Sequence, residues 1–274
     1  MEHSLWLIAL GIVVGTLGTL IGAGGGFVLM PVLLLLYPGS SPETLTAVSL
    51  AVVFLNTASG SMAYARTRRI DYRSGLLFAA AAVPGAIAGA LTTDLIPRRP
   101  FNAVFGVVMI AASLYLVLHR ASGPASARAG GRRLTMRVLR DSYGIEHRYT
   151  FSTRLGMSIS LFVGYLSSLL GIGGGIIHVP ALVRLLDFPV HIATATSHFI
   201  LAIMALAGTI VHIAAGSFSE GGVHRTLLLG AGALVGAQAG AALAARVHGK
   251  WIIRALAAAL ALAGIRILVM ALGL

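Results

Sequence analysis

Two glycine clusters interrupt apolar sequence in nearly the same way: GAGGGFVLMP at 22–31 and GIGGGIIHVP at 171–180, 149 residues apart. Glycine costs a helix interior about 1 kcal/mol relative to alanine, so four glycines within five positions mark a helix end. What such a break means depends on its surroundings. Hydrophobic residues make up 57% of the 274-residue chain and charged ones 10%, with mean hydropathy +0.92. A soluble domain has no means of hiding that much apolar surface, so lipid must cover most of it and the chain reads as an integral membrane protein. In hydrocarbon, irregular backbone survives only where protein or a water-filled cavity satisfies its polar groups.

Apolar stretches fall near 5–36, 44–65, 75–96, 101–118, 156–186, 190–215, 226–245 and 251–273, several of them about the 20 residues a helix needs to cross a bilayer. The alternating strands of an outer-membrane barrel are absent, which leaves an all-α membrane fold. Residues 5–17 resemble the apolar core of a signal peptide, but no positive region precedes them and they lead into the first glycine cluster, so they are expected to belong to the fold. Without cysteine, disulfides and cysteine-held metals are excluded. A formal charge of +12 would suggest nucleic acid as the partner of a soluble protein. Here the arginines sit in loops, where they set topology and meet membrane lipids, and no nucleic-acid partner is expected.

The chain divides into a first membrane repeat at 1–119, a basic linker at 120–154 and a second membrane repeat at 155–274. The linker carries eight arginines against Asp141 and Glu146, which makes it cytoplasmic by the positive-inside rule. Its segment 132–150 is expected as a short basic surface helix. On either side the sequence repeats itself. Gly22, Gly24, Gly25, Gly26 and Pro31 match Gly171, Gly173, Gly174, Gly175 and Pro180; TAVS at 46–49 matches TATS at 194–197; Gly60 matches Gly208; Gly85 and Gly89 match Gly236 and Gly240. Offsets of 148 to 151 residues hold the register across most of each half, the signature of an internal duplication.

A helix over 5–36 would be about 48 Å long, too long for one untilted crossing and too short for two. A broken pair that turns back at the glycines fits, and it leaves three full crossings in each half. Loop charges separate this arrangement from one in which the glycine segments span. If the segments turn back, the halves are inverted, and eight loop cations (Arg66, Arg68, Arg69, Arg73, Arg184, Arg246, Lys250, Arg254) join the linker against three (Arg98, Arg99, Arg225) outside. If they span, the halves are parallel and the same charges divide five to six. The rule favours inverted repeats.

Paired broken helices at matching positions point to a transporter's midplane site. Glycine admits positive φ and close approach of a ligand, and free N–H groups beside a helix start favour an anion. Gly24, Gly25, Gly26, Gly173, Gly174 and Gly175 are therefore candidate binding residues, with close helix packing as the plain alternative. Pro31 and Pro180 are helix-break candidates that either kink the returning half-helix or start it. Ser49, Asn56 and Gly60 share one helical face, and Ser197, His198, Thr209 and His212 fall on or beside one face. A membrane serine commonly bonds its own helix backbone, and the equivalence of Ser49 with Ser197 is what argues for more. His178, His198 and His212 align with Leu29, Leu50 and Tyr64, so only the second half carries titratable groups there; His178 and His198, next to the glycines and TATS, are the better candidates. Gly85/Gly89 and Gly236/Gly240 read as packing sites, and Asp94, Asp187 and Glu220 as interfacial.

GTLIGAGGGFVLMPVL at 18–33 and SSLLGIGGGIIHVPAL at 167–182, each followed some 15 residues later by TAVS or TATS, resemble the TauE/SafE family of membrane proteins. The similarity spans both halves except the linker. It implies passage of a small sulfur-containing anion, sulfite or an organosulfonate, across the cytoplasmic (inner) membrane, and places the site at the glycines and prolines named above with Ser49 and Ser197. The Leu29/His178 difference argues against a strictly symmetric site. No P-loop is present, so the chain carries no ATPase of its own. The resemblance implies no cofactor and no catalytic or metal residue, and leaves room for a homo-oligomer. An intramembrane metalloenzyme would need carboxylates or HExxH beside the histidines, and neither is there. The alternative is a cation or metal-ion permease of similar architecture, which would bind through backbone carbonyls.

Overall fold

The computed structural model describes residues 2–118, 134–219, 221–244 and 249–272. The middle of the linker, Glu220, Arg246 and the side chains of Lys250 and Arg254, all assigned in the sequence reading, lie outside the described residues. The order is α1 (Glu2–Ile21), α2 (Gly26–Leu36), α3 (Pro42–Arg66), α4 (Tyr72–Thr93), α5 (Arg98–Leu118), β1 (Thr135–Arg140), β2 (Glu146–Phe151), α6 (Thr153–Leu170), α7 (Gly175–Leu185), α8 (Val190–Ala214), α9 (Gly222–Ala244) and α10 (Gly249–Leu272). Among the described residues, α3, α4, α6, α8 and α9 are long and apolar enough to cross a membrane. Local chemistry sets their starts. Ser41 accepts from Thr44 N–H ahead of Pro42, Asp71 from Ser74 N–H, and Ser152 from Leu155 N–H.

The duplication is visible in the packing. The main helix contacts are α1 with α9, α4 with α6, α5 with α10, α3 with α8, α3 with α9 and α4 with α8. Exchanging the halves, α1 for α6 through α5 for α10, turns this set into itself. The small-residue pairs sit at close backbone contacts: a Cβ on Gly85 or Gly89 would lie 2.1 or 2.2 Å from the Leu161 or Tyr165 carbonyl of α6, and one on Gly236 or Gly240 would lie 2.2 or 2.4 Å from the Ile12 or Thr16 carbonyl of α1. These four glycines let helix backbones touch.

Each broken pair ends where it began. Trp6 and Leu7 at the start of α1 line one pocket with Leu36 and Tyr37 at the end of α2. Leu155 at the start of α6 and Leu186 beyond α7 pack into one cluster with Tyr149, Phe151 and Phe188. The long helix α3 joins the two ends of the molecule: Thr44 near its start lies 2.8 Å from Ser219, and Thr67 past its end accepts from Ser142 N–H at 3.0 Å.

The linker corrects the expectation of a surface helix. Residues 135–151 form an antiparallel hairpin in which Thr135 pairs with Phe151 and Arg140 with Glu146. Alternate burial along β1, every second residue exposed, is the two-residue period of a strand. Asp141 fixes the turn, taking the amides of Tyr143 and Ile145 at 3.0 Å each on Oδ1 and facing Arg69 and His147 at 3.4 Å on Oδ2. Burial pushes this carboxyl up, but the Ile145, His147 and Tyr143 hydrogen bonds and the Arg69 charge outweigh it and hold it below the usual range. Tyr149 donates to Asp71 at 2.8 Å, and burial, with the Asp71 charge, raises its phenol so that it remains a donor.

Candidate functional site

Helix α1 stops at Ile21 and α2 starts at Gly26; α6 stops at Leu170 and α7 starts at Gly175. The breaks share one backbone pattern. Gly22, Gly24 and Gly25 have φ of 84°, 77° and 84°, and Gly171, Gly173 and Gly174 have 67°, 78° and 61°. This left-handed region is open to glycine at little cost, which is why these positions are glycine. Both prolines lie inside the returning helices, six residues in, so they neither start nor break them. Of the two roles expected for them, this position excludes starting the helix and is the one from which a proline would kink it. A proline so placed lacks the amide that would bond to Phe27 or Ile176 four residues earlier, and the glycines alone end the helices.

The two loops cross in direct backbone contact. A Cβ on Gly26 would sit 2.7 Å from the Gly171 carbonyl oxygen, and one on Gly175 would sit 2.5 Å from Ala23 Cα and from the Gly22 carbonyl oxygen. Val53 of α3 stands against both, 3.1 Å from the Cβ position of Gly24 and 3.0 Å from that of Gly173. All residues from Ala23 to Gly26 and from Gly171 to Gly175 are buried. The breaks are as the sequence implies, but each loop fills the space in front of the other.

The serines tie each loop to the opposite half. Ser49 Oγ donates to the Gly171 carbonyl at 2.5 Å, and Ser197 Oγ donates to the Gly22 carbonyl at 3.4 Å. Thr57 and Thr209, by contrast, bond their own helices, to Val53 and Ala205 at 2.7 Å each. Thr19, three residues before the first loop, is a hub that joins Asn56 and His198. Its hydroxyl lies 3.2 Å from Asn56 Oδ1 and 3.2 Å from His198 Nε2, and its carbonyl accepts from Tyr64 at 2.8 Å. The His198 ring also packs on Gly60, where a Cβ would stand 2.7 Å from the ring.

Two histidines stand apart from this cluster. His178 Nε2 lies 3.0 Å from Ser160 on α6, and His212 Nδ1 lies 3.2 Å from Ser217, which in turn donates to Glu43. Among the described residues no three His, Asp or Glu gather as a metal site.

Sequence reasoning missed Thr19 and its counterpart Ser168. A hydroxyl three residues ahead of each loop was the available signal. Several polar atoms around the crossing are buried without a partner: Thr46 Oγ1, Asn56 Nδ2, Ser167 Oγ and Ser168 Oγ. The amides of Gly25 and Gly174, both in non-helical backbone, also make no hydrogen bond within the described residues. Buried polar groups are rarely left unsatisfied, so such a collection marks a place for water or a solute. The Gly22 and Gly171 carbonyls, by contrast, already accept from the serines.

A family profile described as "Sulfite exporter TauE/SafE" matches residues 7–267. The chain is 33% identical over 268 residues to the probable membrane transporter protein YunE of Bacillus subtilis, covering 96% of each chain. It is 28% identical over 214 residues to a probable membrane transporter protein of Methanocaldococcus jannaschii, covering 76% of this chain and 72% of that one. No solved structure matches.

Proposed function

We propose that this chain, which belongs to the TauE/SafE family of membrane transporters, is a secondary transporter of a small sulfur-containing oxyanion, sulfite or an organosulfonate, in the cytoplasmic membrane. The observation that carries the reading is the crossing itself: two matched breaks in backbone contact, each with an unpartnered glycine amide, ringed by buried hydroxyls and an amide without partners. Oxyanions take such donors readily, and the starts of α2 and α7 add their dipoles. A cation permease would draw on loop carbonyls, two of which already accept from Ser49 and Ser197. In this reading Gly24, Gly25, Gly26, Gly173, Gly174 and Gly175 form the binding backbone, Ser49 and Ser197 hold its carbonyls, and Asn56 and His198 act through Thr19. His178, held by Ser160, contributes from the second loop's helix.

We read the halves as inverted repeats. The support is that each broken pair returns to its own end, that the α1–α2 end carries Arg225, and that the α6–α7 end carries the hairpin. The contact between the loops must part for a solute to pass, and rocking of one half against the other would open it to either side in turn. Proteoliposomes loaded with the purified protein should take up labelled sulfite or sulfoacetate faster than empty vesicles, and Gly25→Val and Gly174→Val should abolish that uptake while still inserting. Equal rates in protein-bearing and empty vesicles would remove the cargo. Single cysteines at Tyr143 and Val190 should label from one side; labelling from opposite sides would reject inversion.

A further inference from the structure

The duplicated scaffold builds the same seat twice, and the described residues fill only one. Each seat lies where the start of a half's first helix, the end of its returning half-helix and the start of α4 or α9 from the other half come together. In the α6–α7 half it is formed by Leu155, Leu186 and the α4 start, and the linker hairpin occupies it. Tyr149 and Phe151 pack at a tilt against Phe188 with ring centroids 4.5 and 5.0 Å apart, Phe78 meets Phe151 at 5.9 Å, and Arg137 reaches Ser74 Oγ at 3.4 Å. The equivalent residues in the α1–α2 half are Trp6, 149 residues before Leu155, Tyr37, 149 before Leu186, and Arg225, 151 after Ser74. These residues line an open pocket of about 490 Å³ that no described residue fills.

The substitution of Arg225 for Ser74 changes what the open seat can hold. The Arg225 guanidinium lies 3.8 Å from the centroid of the Tyr37 ring, and its Nη1 is 3.4 Å from Ser40 Oγ. Among the described residues no carboxylate lies within 4 Å of it. A stacked guanidinium is held in orientation by the ring and can offer the rest of its fork to an oxyanion. His224 lies beside it, and Trp6, Leu7 and Leu36 supply apolar wall. We infer that this open seat binds an anion with an apolar body, its sulfonate- or phosphate-type head on Arg225 and its body where the hairpin's aromatic rings lie in the other half. The seat is separate from the loop crossing, and its ligand does not depend on the cargo proposed there.

The protein has two tryptophans, so Trp251→Phe leaves Trp6, in the seat, as the sole reporter. In neutral detergent, 1-octanesulfonate should change Trp6 fluorescence saturably and 1-octanol should not. Arg225→Gln should raise the half-saturating concentration at least about tenfold, the loss expected for a charge-assisted hydrogen bond. Gly221→Asp puts the anion's own sign of charge at the rim, where no atom lies within 4 Å but a φ of 78° strains any side chain, and should weaken binding, while the equally strained, uncharged Gly221→Asn should not. Nanodiscs separate the sources. Competition by phosphatidylglycerol, and not by phosphatidylcholine, identifies a lipid headgroup as the resident anion, whereas unchanged titration identifies a free amphiphilic solute. Saturation by octanol, or wild-type titration in both Arg225→Gln and Gly221→Asp, would overturn the inference.

Discussion

Replacing Gly175 by alanine adds one methyl group at the closest approach of the two loops. Its φ is not positive, so alanine meets no backbone strain there and the perturbation is purely one of contact. The new Cβ would stand 2.5 Å from Ala23 Cα and 2.5 Å from the Gly22 carbonyl oxygen, where ordinary contact begins at 3.4 Å, so the loops must part by about 0.9 Å. Both neighbours are backbone, and no rotamer can relieve them. Overpacking of this kind costs about 1–3 kcal/mol, which for a chain of this size lowers the Tm by about 2–12 °C. Thermal unfolding in detergent measures the loss, and flux in proteoliposomes measures whether the separated loops still work. Gly39→Ala is the control: nothing lies within 4 Å of its Cβ position and its φ is not positive, so it should change stability by no more than about 0.5 kcal/mol. A Gly175→Ala protein with wild-type Tm and wild-type flux would mean that the loops do not touch, and the crossing would lose its physical basis.

Ser49→Ala strands the buried Gly171 carbonyl and should cost about 1–3 kcal/mol; Ser197→Ala removes a bond of 3.4 Å against 2.5 Å and should cost less, an order that paired thermal melts would reverse if the lengths carry no energy. Gly144→Ala probes φ alone, since its φ is 81° and its nearest outside atom is 3.7 Å away, and should destabilise the hairpin turn by about 1–2 kcal/mol without affecting transport. Asp141 has a lowered folded pKa, so its stabilisation is fully present above the unfolded value of about 4 and is lost as pH falls through the folded value. Hydrogen exchange over 135–151, corrected for intrinsic rate, should therefore stay constant from neutral pH to about 5, and Asp141→Asn should lose that protection at neutral pH. Early loss in the wild type would show that Asp141 does not hold the turn.

Much of the plan was legible because it rests on local rules. Hydropathy identifies the lipid-covered helices, glycine identifies the breaks, and repetition at a fixed offset pairs them, since a residue type with no Cβ is nearly forced wherever φ is positive or backbones touch. The linker shows where local rules give out. Its arginines predict a cytoplasmic face, but the alternation in TMRVLR and the DSYG turn become a hairpin only with Phe188, Phe78 and Asp71 to dock against, residues far away in sequence. Likewise Ser49 and Ser197 were recognisable as a pair, while the partners of their hydroxyls, the first glycine carbonyls of the opposite loops, depend on how the halves interlock. Sequence by itself determined the membrane class, the duplication and the two helix breaks, because each follows from side-chain transfer energy or backbone sterics within a few residues. Only the tertiary structure decided that the loops close on one another, that Thr19 gathers Asn56 and His198, and that the described residues leave one of two equivalent seats open, because these depend on contacts between segments 37 to 179 residues apart and more.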